Sequence, residues 1–174
     1  GSDVFAKRFE KKLKKSRLDT PSSHDEVASR FCFLRDNVPL ALEILPHLNF
    51  LGDGFSASCL VTYHKSVLLY SHSSEQIHHC DPDKVILDAD DELVCFDKEH
   101  QVLMLSETGK QLFLDSRNKF STNDSYGCKA LSFKRNGRGL AIALNGGGRY
   151  LSAERNGEVS FKRQCKAWEV FYLN

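Results

Sequence analysis

The sequence predicts an all-β domain, and three observations predict it. After residue 50, short apolar runs alternate with polar breaks at the interval of strands in a sandwich or barrel. No stretch of that half carries a helix-length apolar period. Two turn clusters, Asn145-Gly-Gly-Gly148 and Arg155-Asn-Gly157, lie between such runs, as they do in consecutive β-hairpins.

Composition sets the outer bounds. The chain has 174 residues, 41% hydrophobic and 27% charged, which suits one globular domain with an extension. Its net charge of +1 gives no global electrostatic case for nucleic acid, and no apolar run is long enough to span a bilayer. The opening Gly1-Ser2 reads as the scar of a cleaved tag.

Residues 3–18 read as an amphipathic basic helix, with Phe5, Phe9 and Leu13 recurring every four residues among lysines. That apolar stripe is the first candidate protein-binding surface, for a partner or for self-association. Asp19 to Glu26 is a breaker followed by a helix start, with Ser22 or Ser23 as cap and Asp25-Glu26 at the positive end of the dipole. Between Pro39 and Pro46 lies a short helix-like apolar turn. Residues 1–49 therefore form a helical or irregular arm, and residues 50–174 form the β domain.

The strand-like runs are Ala57–Tyr63, Val67–Tyr70, Val85–Leu87, Leu93–Phe96, Val102–Leu105, Gln111–Leu114, Ala130–Phe133, Leu140–Leu144, Tyr150–Ala153, Glu158–Phe161 and Trp168–Leu173. Cys59, Cys95, Cys128 and Cys165 sit in or beside them, and Cys32 and Cys80 stand apart. Singly spaced cysteines in apolar runs read as free core thiols, which favours an intracellular setting, in cytoplasm or nucleus.

The runs repeat. Leu103, Leu105, Gly109 and Leu112 match Ile142, Leu144, Gly148 and Leu151, and Lys129–Phe133 matches Lys166–Phe171 with one residue slipped. These positions supply two core sets, Leu103/Leu105/Leu112/Phe133 and Ile142/Leu144/Leu151/Phe171. A weaker third copy places Leu69 before Leu105 and Leu93–Phe96 before Ala130–Phe133, with Ser73-Ser-Glu-Gln76 where the others have a turn glycine.

Three units of about forty residues, each with several short strands and a hairpin, resemble the β-trefoil, in which three four-strand repeats close a barrel capped by hairpins. Closure removes sheet edges, and one unit alone cannot bury its apolar face. Gly148-Arg-Tyr-Leu-Ser-Ala-Glu-Arg-Asn-Gly-Glu-Val159 and Trp168-Glu-Val-Phe171 look most like fascin domains. Gly109, Cys128, Phe133 and Ala143-Leu-Asn145 look somewhat like the fibroblast growth factors. The first resemblance implies actin binding, the second a secreted cytokine or growth-factor-like ligand.

Chemistry is sparsely signalled. His64, His72, His78, His79, Cys80 and Cys95 invite metal, but consecutive residues on a strand point to opposite faces and do not converge. No nucleophile elbow, P-loop or H-E-x-x-H is present, and the acidic run Asp81–Glu92 lacks the spacing of a calcium loop. No catalytic residue, metal or cofactor is therefore assigned. Lys134, Arg135, Arg138, Arg149, Lys162 and Arg163 form a candidate anion-binding set if they share one end of the barrel. The expected function is a non-catalytic β-trefoil module that binds protein within a larger intracellular protein.

Overall fold

The computed structural model describes residues 57–84, 90–106, 108–124, 127–144 and 148–173. Phe5, Phe9 and Leu13, the rest of the arm, the Val85–Leu87 run and the glycine tip at 145–147 lie outside the described residues. Twelve short strands are present among those described: β1 (Ala57–Val61), β2 (Val67–Ser71), β3 (Gln76–Cys80), β4 (Asp91–Asp97), β5 (Val102–Leu105), β6 (Phe113–Leu114), β7 (Phe120–Ser121), β8 (Leu131–Asn136), β9 (Gly139–Leu144), β10 (Tyr150–Ala153), β11 (Val159–Lys162) and β12 (Tyr172–Leu173). The only helical elements among them are two single 3₁₀ turns, Pro82–Lys84 and Ala167–Glu169. The all-β expectation stands.

All strand pairs are antiparallel. β1 pairs with β4 and with β12, and β4 pairs with β5. β8 pairs with β9 over six residues, and β9 reaches the last strand through mutual bonds between Leu140 and Phe171. β2–β3, β6–β7 and β10–β11 are hairpins; β2 pairs further with β1 and β4, and β10 with β9.

The hairpins touch one another. His79 donates its backbone N–H to Gly157 at 2.8 Å, joining the first to the third. Tyr70 donates its hydroxyl to the Phe120 carbonyl at 2.9 Å, joining the first to the second. Phe120 stacks on Phe161 at 6.4 Å between centroids, joining the second to the third.

The core follows from alternation. Leu60, Val94, Phe96, Leu103, Leu105, Ile142 and Phe171 gather in one buried cluster, and Leu112, Leu114, Leu151 and Ala153 join them. Truncating a residue such as the fully buried Phe96 to alanine costs about 3–5 kcal/mol. Of the two expected core sets, only Phe133 sits at the rim, partly buried and tilted against Phe96 at 4.8 Å.

Two expectations need correction. Strands β3 and β7 carry too few consecutive apolar residues to have been read as runs, with Gln76-Ile-His-His-Cys80 and Phe120-Ser121. Trp168 belongs to a 3₁₀ turn rather than to the closing strand. Left-handed residues follow both β1 and β2, Lys65 at φ 61° and Glu75, within Ser73–Gln76, at 53°. Gly109 and Gly148 have φ of 68° and 60°, and Lys65 takes the same left-handed conformation at 61°, four residues beyond Val61 as Gly109 is beyond Leu105.

Candidate binding surface

The 3₁₀ turn Ala167–Glu169 carries the most distinctive surface among the described residues. The turn is built around Glu169, whose side chain is buried although charged. One carboxylate oxygen accepts the Ser152 hydroxyl at 2.5 Å, and the other accepts the Lys166 backbone N–H at 3.0 Å. Burial of a carboxylate is tolerable only with such partners. With Glu169 drawn inward, Trp168 is left on the surface, 38% exposed.

Trp168 does not stand alone. Its ring lies 5.2 Å from that of His64, which meets Tyr63 edge-on at 5.6 Å and stacks on buried His79 at 5.6 Å. His64 is held by its Nε2 against the Ala153 carbonyl at 3.0 Å. Tyr63, 54% exposed, completes an aromatic platform that spans the first β-turn and the final 3₁₀ turn.

Beside the platform lies a hollow of about 570 Å³, lined by Ser152, Lys162, Arg163, Gln164, Lys166 and Trp168 among others. Lys162 is tied to Glu154 at 2.8 Å. That contact holds the Glu154 carboxyl below the usual carboxylate range, chiefly through the Lys162 hydrogen bond and then through Ser160. It raises the Lys162 ammonium correspondingly. Glu169, the acid in the lining, is turned inward, so the mouth of the hollow is basic and aromatic.

The candidate anion set is divided by the fold. Lys162 and Arg163 line this hollow, and Arg138 lines an adjoining depression that shares Lys166 and Ala167 with it. Lys134 and Arg135 are exposed on β8. Arg149 lies elsewhere, in a hollow between hairpins whose lining includes Glu75 and Glu158. The aromatic platform escaped the sequence reading because Tyr63 and Trp168 are 105 residues apart and neither sits in a basic run.

The histidines that lie near one another in sequence are each engaged separately. His72 pairs with Glu92 at 2.5 Å, and His78 faces Asp91 at 3.6 Å. His79 contacts Ser66 and the Glu154 carbonyl. Among the described residues, no three metal-binding side chains gather. The Ser66–His79 pair has the contact distance of a nucleophile and its base, but both residues are buried, and the ring is oriented by a carbonyl. It joins two hairpins instead of facing a substrate.

No protein-family model matches the chain, and no curated protein matches it. Among solved structures, one described as SeviL bound to asialo-GM1 saccharide is similar over 69% of this chain and 97% of its own. The identity is 9% and the TM-score 0.46, a level of likeness that carries no weight for fold or ligand. Among the described residues, no helix is long and apolar enough to cross a membrane.

Proposed function

We propose that the chain is a β-trefoil interaction module that binds another protein and catalyses no reaction. The trefoil reading is supported by the antiparallel strand pairs, the contacts among the three hairpins and the left-handed turn residues Lys65, Gly109 and Gly148. Topology alone says little about ligands. The surface does more.

The single observation that carries the binding reading is Trp168, exposed on a turn that a buried carboxylate fixes, beside a basic hollow. Exposed tryptophan and arginine are the residue types that most often anchor protein partners. A rigid turn lowers the ordering cost of using them. Lys162, Arg163 and Lys166 suit an acidic segment, with an apolar side chain laid on Trp168.

Trp168 is the chain's one tryptophan, so its fluorescence reports on this surface alone. A synthetic glutamate-rich peptide with one phenylalanine should change that emission saturably, more weakly as salt rises. The change should be lost in a Lys162→Glu, Arg163→Glu double variant and kept in Lys110→Glu, a residue outside the lining of the hollow. No saturable change, or equal loss in both variants, rejects the reading.

A further inference from the structure

Two cysteines that are distant in sequence lie side by side in the fold. Cys59 on β1 and Cys95 on β4 are direct cross-strand partners in an antiparallel pair. Both are buried free thiols. Directly opposed residues put their side chains on the same face of a sheet. The two thiols hydrogen-bond to each other, and that contact, with burial, pushes the Cys59 thiol well above its ordinary value.

The backbone spacing suits a bond between them. Opposed Cα atoms in an antiparallel ladder stand about 4.5 or 5.5 Å apart, in the two kinds of pair that alternate along it. Either value lies within the range of about 4.4–6.8 Å that a disulfide spans. The register is held on both sides of β4: Ser58 lies opposite Phe96 and Ala57 opposite Asp97, and Met104 on β5 is the other partner of Cys95. The sheet therefore keeps the two sulfurs together for as long as it is intact. Cys165, by contrast, meets the Asn136 amide and the Glu169 carbonyl.

We propose that Cys59 and Cys95 are a disulfide site, which ties β1 to β4 when hydrogen peroxide oxidises it. One thiolate attacks a peroxide oxygen and the O–O bond breaks; the departing hydroxide takes up the proton that the thiol gave, leaving a sulfenic acid and water. The second sulfur attacks the sulfenic sulfur, the S–O bond breaks, and the hydroxyl leaves with the second thiol proton as another water. Two thiols and one peroxide give one disulfide and two waters, and the two electrons lost by sulfur reduce the peroxide. Hydrogen peroxide is close to water in size, which suits a buried site. Because the thiolate is the nucleophile and Cys59 is held protonated, the reaction is slow at neutral pH and faster in mild alkali. Reduced, the pair packs as two small apolar side chains. Oxidised, it closes the chain from residue 59 to residue 95 and restricts the unfolded state.

Peroxide treatment of the full chain, then alkylation in denaturant and peptide mass mapping, tests the site. Peptides joined through Cys59 and Cys95 should appear, faster in mild alkali than at neutral pH, and vanish with thiol reductant. The urea midpoint by far-ultraviolet dichroism should rise by about 1 M on oxidation. That rise should be absent in Cys59→Ala. Met104 reports whether oxidant reaches this row of side chains. Sulfoxide at Met104 with both thiols still open to alkylation overturns the proposal. So does a pair left reduced by a peroxide dose that oxidises the urea-unfolded chain. Links from Cys59 or Cys95 to other cysteines, or to a second copy, overturn it as well. If Cys59→Ala fails to fold, the linkage map of the unaltered chain still decides.

Discussion

The Nδ1 atom of His79 lies 2.7 Å from the hydroxyl of Ser66, and the other side of the ring fixes which of them donates. There Nε2 lies 2.5 Å from the Glu154 carbonyl oxygen, which can only accept. The proton of the neutral ring is therefore on Nε2, and Nδ1 accepts from Ser66. Ser66 in turn accepts from the Thr62 hydroxyl at 2.5 Å. A second ring proton would reverse the chain: Ser66 would have to donate to Thr62, whose own hydroxyl would lose its acceptor.

Stability should consequently fall on mild acidification. Burial lowers the His79 pKa below its ordinary 6.5, with His64 and His78 adding to that and the Glu154 carbonyl opposing it. Between the lowered folded value and the ordinary unfolded value, the unfolded chain binds more protons, so stability rises with pH. The contribution is complete above about pH 6.5 and is lost as pH falls through the folded value. Urea unfolding followed by Trp168 emission from pH 5 to 8 measures it. His79→Gln, which keeps a donor for Glu154, should flatten that part of the profile; an unchanged profile would sink the assignment.

Lys65→Gly should stabilise the protein. An L-residue in the left-handed region costs about 1–2 kcal/mol, and glycine returns roughly 0.5–1 of that as unfolded-chain entropy. With φ of 61° at Lys65, the net gain is about 0.5–1 kcal/mol. Gly109→Ala, at φ 68° in the matching turn, should lose stability instead. Paired urea midpoints test both, and a destabilised Lys65→Gly protein would mean that the lysine side chain matters more than its backbone.

That turn also shows where sequence reading succeeds and where it stops. Strands such as Val102–Leu105 and Leu140–Leu144 were legible because alternate apolar residues and a turn glycine agree on one register. Gln76–Cys80 was missed as a strand because its inward positions, Ile77 and His79, include a histidine whose burial depends on Ser66 and Glu154. The candidate surface was less legible still. Lys162 and Arg163 were picked out from their basic run, but Tyr63, His64 and Trp168 meet only through tertiary packing.

Gly139→Ala should be among the costlier small substitutions. Gly139 has no unusual φ; what it supplies is room. A β-carbon there would lie 2.9 Å from the Phe171 carbonyl oxygen, besides overlapping the Val170 side chain. The side chain of Val170 can rotate, but the carbonyl is held by the Leu140 N–H at 2.7 Å. Relief therefore means parting β9 from the last strand, at a cost of about 1–3 kcal/mol. A midpoint shift in urea below a tenth of the wild-type value would show that this seam gives easily.

Glu169→Ala should separate the fold from the binding surface. Removing the carboxylate leaves the buried Ser152 hydroxyl and the Lys166 N–H without their acceptors, which costs about 1–3 kcal/mol. The core does not depend on this turn, since Leu151, Ala153 and Phe171 remain packed in it. The turn does depend on it, because the Lys166-to-Glu169 bonds are what close it. The variant should stay folded in far-ultraviolet dichroism while Trp168 emission shifts toward that of a solvated indole. Acidic-peptide binding should weaken more than it does in Glu169→Gln, whose side-chain oxygen can still accept one of the two bonds. If Trp168 emission is unchanged in Glu169→Ala, the buried carboxylate is not what positions the platform.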